Sequence, residues 1–130
     1  MKFLYLPLFV LFIVHVLSSA DVIDNVANLI RQGKMRELSK LFATSVDMTI
    51  LDEEYVYSQA QAEIILDKFF HQNKLQTVTV LHKIDSSPNY RFGVLLITTA
   101  KGIFRVTFTL KDESGRLSII EFRIETDKVK

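Results

Sequence analysis

"DMTILDEEYVYSQAQAEIILDKFF", residues 47–70, changes its periodicity twice within 24 residues. Val46, Met48 and Ile50 alternate with Asp47 and Thr49, the pattern of a half-buried strand. Asp52, Glu53 and Glu54 mark a chain reversal, since aspartate favours turns by bonding nearby backbone amides. Tyr55-Val56-Tyr57 is then expected to pair back as a brief return strand. Ser58 and Gln61 fit a capping box, each side chain satisfying an amide at a helix start. Ala62, Ile65, Leu66 and Phe69 follow at i, i+3, i+4 and i+7, one apolar stripe of a helix ending at Asn73 or Lys74.

Upstream, Val22, Ile23, Val26, Ala27, Leu29 and Ile30 recur at helical spacing, and Gly33 can close that helix at its C′ position. Met35, Leu38, Leu41 and Phe42 predict a second short helix over 34–43. Downstream the pattern is all strand: 77–84, 90–99, 103–111 and 117–125. The breaks, Ser86-Ser87-Pro88-Asn89, Ala100-Lys101-Gly102 and 112–115, are short and rich in turn formers, so neighbouring strands should form antiparallel hairpins. Helices followed by an antiparallel meander predict an α+β fold, with the helices packed on one sheet face.

The first twenty residues, "MKFLYLPLFVLFIVHVLSSA", differ in kind from the rest. Lys2 gives a positive start, Phe3 to Leu17 an apolar core, and Ser18-Ser19-Ala20 the small-residue pattern that a signal peptidase accepts. A spanning helix wants roughly 20 apolar residues, and Pro7 breaks a helix interior. Residues 1–20 are therefore expected to be a cleaved signal peptide, leaving 21–130 as one domain with no stable membrane insertion. The mature chain has 110 of the 130 residues and loses one of 16 basic residues, which balances 15 against 15 acids. Balanced charge without basic runs argues against nucleic acid and against adhesion to acidic lipid. There is no cysteine. Disulfide staples are excluded, and so is the cysteine that a bacterial lipoprotein needs at its cleavage site. The expectation is a soluble exported chain, periplasmic or secreted, not a lipoprotein.

The order helix, helix, short hairpin, helix, four strands resembles the nuclear-transport-factor-2-like superfamily. This is the cystatin-like cone that also holds ketosteroid isomerase and scytalone dehydratase. More narrowly, "LSKLFATSVDMTILDEEYVYSQAQAEIILDKFF" (38–70), "LHK" (81–83), "GIFRVTFTLK" (102–111) and "IIEFRIE" (119–125) resemble a family of secreted Bacteroidota proteins classified as a domain of unknown function. The resemblance covers almost all of the mature chain. It implies a curved antiparallel sheet under N-terminal helices, and often dimerisation through the sheet, but no activity.

Strict alternation sorts the strand residues onto two faces. Phe104, Val106, Phe108 and Leu110, with Ile120, Phe122 and Ile124, and with Val78, Val80, His82 and Ile84, are expected to share the helix-covered face. His82 is then its one titratable side chain. Catalysis of the ketosteroid-isomerase type needs a carboxylate base and a tyrosine or protonated acid, and no carboxylate falls at an inward position. With only His71 and His82 in the mature chain and no paired spacing, a zinc site lacks ligands. The contiguous acids 52–54 lack the alternate spacing and glycine of a calcium loop. No metal or cofactor is expected.

The candidate ligand set in the cone is His82, Tyr57, Phe69, Phe104, Phe108 and Phe122. On the outer face Leu81 and Ile119 must be joined by Leu95 and Ile97, or else by Val94 and Leu96. Leu81, Leu95, Ile97 and Ile119 are taken as the candidate dimer surface, amid charged Arg105, Glu121, Arg123 and Glu125. The reading is an exported, non-enzymatic binding or interaction module of the cell envelope, a homodimer, with a small apolar ligand as candidate occupant of the cone. The alternatives are a small lyase, isomerase or hydrolase using His82, and a structural adaptor acting through the outer sheet face.

Overall fold

The computed structural model describes residues 21–128, so the expected signal peptide at 1–20 lies outside the described residues. Helix α1 (Val22–Arg31) buries Ile23, Val26, Ala27 and Ile30, the i, i+3, i+4, i+7 stripe. Asp21 caps it, its carboxylate accepting from the Ile23 amide at 3.0 Å. Gly33 takes a positive φ of 72° just past its end. Helix α2 (Met35–Ser39) is shorter than expected. Leu41 and Phe42 leave it because Phe42 opens strand β1 (Phe42–Ile50), whose buried Phe42, Val46 and Met48 face the helices.

The reversal falls at Leu51-Asp52, one residue before the acids predict. Glu53 and Glu54 belong to β2 (Glu53–Ser58). Helix α3 (Gln59–Gln72) starts at the expected capping box: Ser58 Oγ accepts from Gln61 N at 3.2 Å, and Gln61 Oε1 accepts from Ser58 N at 2.9 Å. Its inner face is Ala62, Leu66 and Phe69. Strands β3 (Leu75–Ser87), β4 (Tyr90–Thr99), β5 (Gly102–Glu113) and β6 (Arg116–Thr126) complete one sheet in the order β2-β1-β6-β5-β4-β3. Every neighbouring pair is antiparallel except β1 with β6, which run parallel. All three helices pack on one face, α1 against β3 and β4 and α3 against β1 and β2. Among the described residues no helix is long and apolar enough to cross a membrane.

Two bulges decide which side chains look inward. On β3, Val80 pairs with Leu95 while His82 pairs with Val94, so Leu81 is an extra residue. On β6, Glu121 pairs with Thr109 and Ile119 with Leu110, so Ile120 is extra. Each bulge reverses the alternation beyond it, because the side-chain period is two. Below the β3 bulge Lys83 turns toward the helix side, where its ammonium meets Asp21 at 2.7 Å and Asp24 at 3.0 Å. The bond to Lys83 lowers the Asp21 pKa below its ordinary 3.8, and the bond to Asp21 raises that of Lys83 above its ordinary 10.5.

A depressed acid contributes stability that is present above its unfolded pKa and lost as pH falls through its folded value. A raised amine contributes below its unfolded pKa and loses this as pH climbs through its folded value. The latch is therefore complete between 3.8 and 10.5. Asp21→Ala should cost about 1 kcal/mol of unfolding free energy through the lost cap. The gap between variant and parent should narrow in urea titrations as the pH falls from 3.8 through the lower folded value of Asp21. A gap that persists there would show that Asp21 acts otherwise.

Candidate functional site

The interior of the cone is filled. Phe42, Phe108 and Phe122 are each at most 1% exposed. Phe122 meets Phe42 edge-on at 5.7 Å between centroids and stacks on Phe108 at 6.1 Å. Phe104 and Phe69 close the layer beside them, their rings 5.2 Å apart. Four of the six expected ligand residues thus pack against one another as core, leaving their faces committed to other rings.

His82 is not with them. The bulge at Leu81 sends it to the outer face, exposed and paired with Val94. Two carboxylates of the sheet, Glu121 and Asp47, are remote from it. Glu121 lies three strands away in the sheet order and Asp47 four, which is about 14 and 19 Å at the usual strand spacing. Tyr55 and Tyr57 sit on β2, at the opposite edge of the sheet from β3. Neither Glu121 nor Asp47 can form the acid/base pair of a ketosteroid-isomerase-like reaction with this imidazole. Among the described residues no group of three or more histidine and carboxylate side chains is placed to hold a metal ion.

Tyr57 and Phe69 do come together. They line a cleft of about 240 Å³ at the cone mouth, with Ile50, Leu51, Ile65 and Lys68. Tyr57 is half-buried, its ring 5.9 Å from that of Tyr55. Leu51 forms the lip, 42% exposed and held at a φ of +59°. A branched apolar residue is seldom found in that left-handed region. Its amide donates to Ile124 O at 2.7 Å, which ties the turn to the last strand. Sequence reasoning passed over Leu51 because nothing in "ILDE" separates a turn leucine from a strand leucine.

The expected dimer surface is also rearranged. Leu95, Ile97 and Ile119 are core residues, each 0% exposed. Ile119 turns inward beyond the β6 bulge, paired with Leu110 and Phe42. Leu95 and Ile97 pair with Val106 and Phe104, which face the helices. The other β4 set therefore faces out. Val94 and Leu96 pair with Thr107 and Arg105, and Phe92 pairs with Thr109 on β5 and Ile84 on β3. Ile84 is 46% exposed, and of the four expected residues Leu81 alone, at 36%, remains at the surface.

The other half of that face is ionic. Arg123 bridges Glu121 at 3.5 Å and Glu125 at 3.0 Å, and Arg105 reaches the nearly buried Asp127 at 2.9 Å. The bond that Arg123 donates to Glu125 raises the Arg123 pKa, while the adjacent Asp47 carboxylate pushes that of Glu54 up. The helix-free face is thus divided into an apolar strip across β3 and β4 and a charged field across β1, β5 and β6.

Comparison with known proteins places this architecture. A DUF4783 family protein from Bacteroides uniformis superposes with a TM-score of 0.78 at 24% identity, over 84% of this chain and 100% of that one. A domain of unknown function with a cystatin-like fold from Nostoc punctiforme gives 0.65 at 8% identity, over 82% and 73%. A variant of the protein Rd1NTF2_05 gives 0.61 at 12% identity, over 79% and 92%. The fold is the nuclear-transport-factor-2-like, cystatin-like cone that the element order implied. No curated protein matches the chain. Residues 23–125, from the first helix through the last strand, match the domain of unknown function DUF4783, and the chain belongs to that family.

Proposed function

We propose that this protein is an exported, non-enzymatic interaction module of the cell envelope that associates through its outer sheet face as a homodimer. The observation behind this reading is the apolar strip of exposed Ile84 and half-buried Phe92 and Leu96 on the face that no helix covers. An apolar patch rimmed by charge suits association, because its burial removes hydrocarbon from water while the rim fixes register. The filled cone supports a surface role over an enclosed site.

A second reading rests on the cleft at the cone mouth. Its aromatic and aliphatic walls at Tyr57, Phe69, Ile50 and Ile65 suit a small apolar ligand. The volume of about 240 Å³ falls below the 300–1,000 Å³ usual for small-molecule sites, which ranks this second.

Native mass spectrometry of the protein recovered from an exporting host tests both readings. The expected mass is that of two chains, each lacking residues 1–20. Ile84→Asp and Leu96→Asp should each give a folded monomer. Association that survives both changes would discard the sheet face. A reproducible extra mass that vanishes in Tyr57→Ala would instead favour the ligand reading and give the ligand's weight.

A further inference from the structure

Two hollows on the helical side join into a single groove. The larger, about 830 Å³, runs between α1, α2 and α3 over a floor of Leu29, Met35 and Leu41. The smaller, about 340 Å³, lies between the ends of α1 and α3 and the start of β3, over Met35, Phe70 and Leu75. Gly33, Met35 and Asp67 line both, so the groove is continuous.

Its walls carry six exposed cations: Arg31, Lys34, Arg36, Lys40, Lys74 and Arg116. Against them stand three carboxylates, Glu37, Glu63 and Asp67. Glu37 is engaged by Lys40 at 3.7 Å, and among the described residues the other five cations have no carboxylate within ion-pair reach. Arg31 donates to Val78 O at 2.9 Å and Arg116 to Lys40 O at 2.7 Å. These bonds hold the guanidinium groups in place without neutralising them. A mature chain with balanced charge thus concentrates positive charge along one apolar-floored channel. The two α3 acids confine an incoming anion to the α1–α2 wall.

We infer that this groove binds an extended acidic peptide segment in which carboxylates alternate with apolar residues. Side chains of an extended chain point alternately to opposite sides. One set would reach the half-buried Leu29, Leu41, Phe70 and Leu75, while the other would meet the cations at the rim. Single-stranded nucleic acid binds on rows of aromatic side chains, and Phe70 is the groove's one aromatic besides the histidine. This surface is separate from the sheet face, so each proposal can fail alone.

The probe is a fluorescent peptide of about a dozen residues alternating glutamate and leucine, titrated with the mature protein by anisotropy. Saturable binding is expected, weakening at least about tenfold as salt rises through the range that screens surface charge. Lys34→Glu combined with Lys74→Glu should also weaken it at least about tenfold, because both residues lie on the exposed rim and their reversal repels the peptide. Arg36→Glu alone should act in the same direction, and thermal melts should confirm that all variants are folded. Three outcomes would overturn the inference: no binding, equal binding of a lysine–leucine peptide, or affinity untouched by the reversals in folded protein. Sedimentation with phosphatidylglycerol vesicles in place of peptide binding would also reject it, in favour of a lipid surface.

Discussion

Phe122→Ala is expected to lower the unfolding free energy by about 4 kcal/mol, a large part of the roughly 5–15 kcal/mol that holds a small domain folded. Phe122 is 0% exposed, and its ring touches both Phe42 and Phe108. It sits on β6 opposite Met48 of β1 and Phe108 of β5, where the two halves of the sheet join. Truncation removes the burial of a whole ring and leaves a void that two neighbouring rings cannot close without leaving their own contacts. Urea unfolding followed by tryptophan-free probes, such as far-ultraviolet dichroism, would read the change. A loss under about 1 kcal/mol would mean that the three rings collapse into the space and that the core is far looser than its packing implies.

Gly93→Val is the second large effect, in the opposite steric sense. Gly93 lies on the inner face of β4, and a Cβ built there would stand 2.6 Å from Phe108 Cζ and 3.0 Å from Ile23 Cγ2. The backbone there is ordinary strand, so the requirement for glycine is one of space. Valine adds two more carbons beyond that Cβ. The Phe108 ring cannot yield freely, because it stacks on Phe122. Overpacking of this kind should cost about 3 kcal/mol. Pairing it with Phe108→Leu should recover part of the loss, a coupling that a double-mutant cycle reads directly. A Gly93→Val protein as stable as the parent would show that α1 can lift from the sheet at little expense.

Much of the architecture is legible in the sequence because its signals are local. The capping box at Ser58 and Gln61, the α1 stripe and the turn formers between β3, β4, β5 and β6 each specify structure within a few residues. The misplacement of His82 and Ile119 has one origin. "TVTVLHKI" and "LSIIEFRI" read as unbroken alternation, but each contains an extra residue, at Leu81 and Ile120. A bulge is written in the pairing of two strands and not in either strand alone. It moved His82 out of the expected ligand set, Ile119 out of the expected dimer surface and Lys83 beneath α1. The choice between Leu95 with Ile97 and Val94 with Leu96 is likewise invisible in an apolar run such as "VLLI". It follows only from which set pairs with Phe104 and Val106. The groove was missed because its cations are scattered from position 31 to 116 and are gathered by the fold.

The parallel pairing of β1 with β6 has a consequence in time as well as space. Met48 and Phe122, paired across it, are 74 positions apart in the chain (122 − 48). The hairpins from β3 to β6 can form one after another as they emerge, since each joins neighbours. The β1–β2 hairpin and α3 can form early as well, but their place in the core must wait, because the strand that covers Phe42 and Met48 is the last one made. Closing so long a loop comes late, since its entropy must be spent before the contacts repay it. Until synthesis has passed β6 the chain has no completed core, so its last strand sets when the whole domain can close.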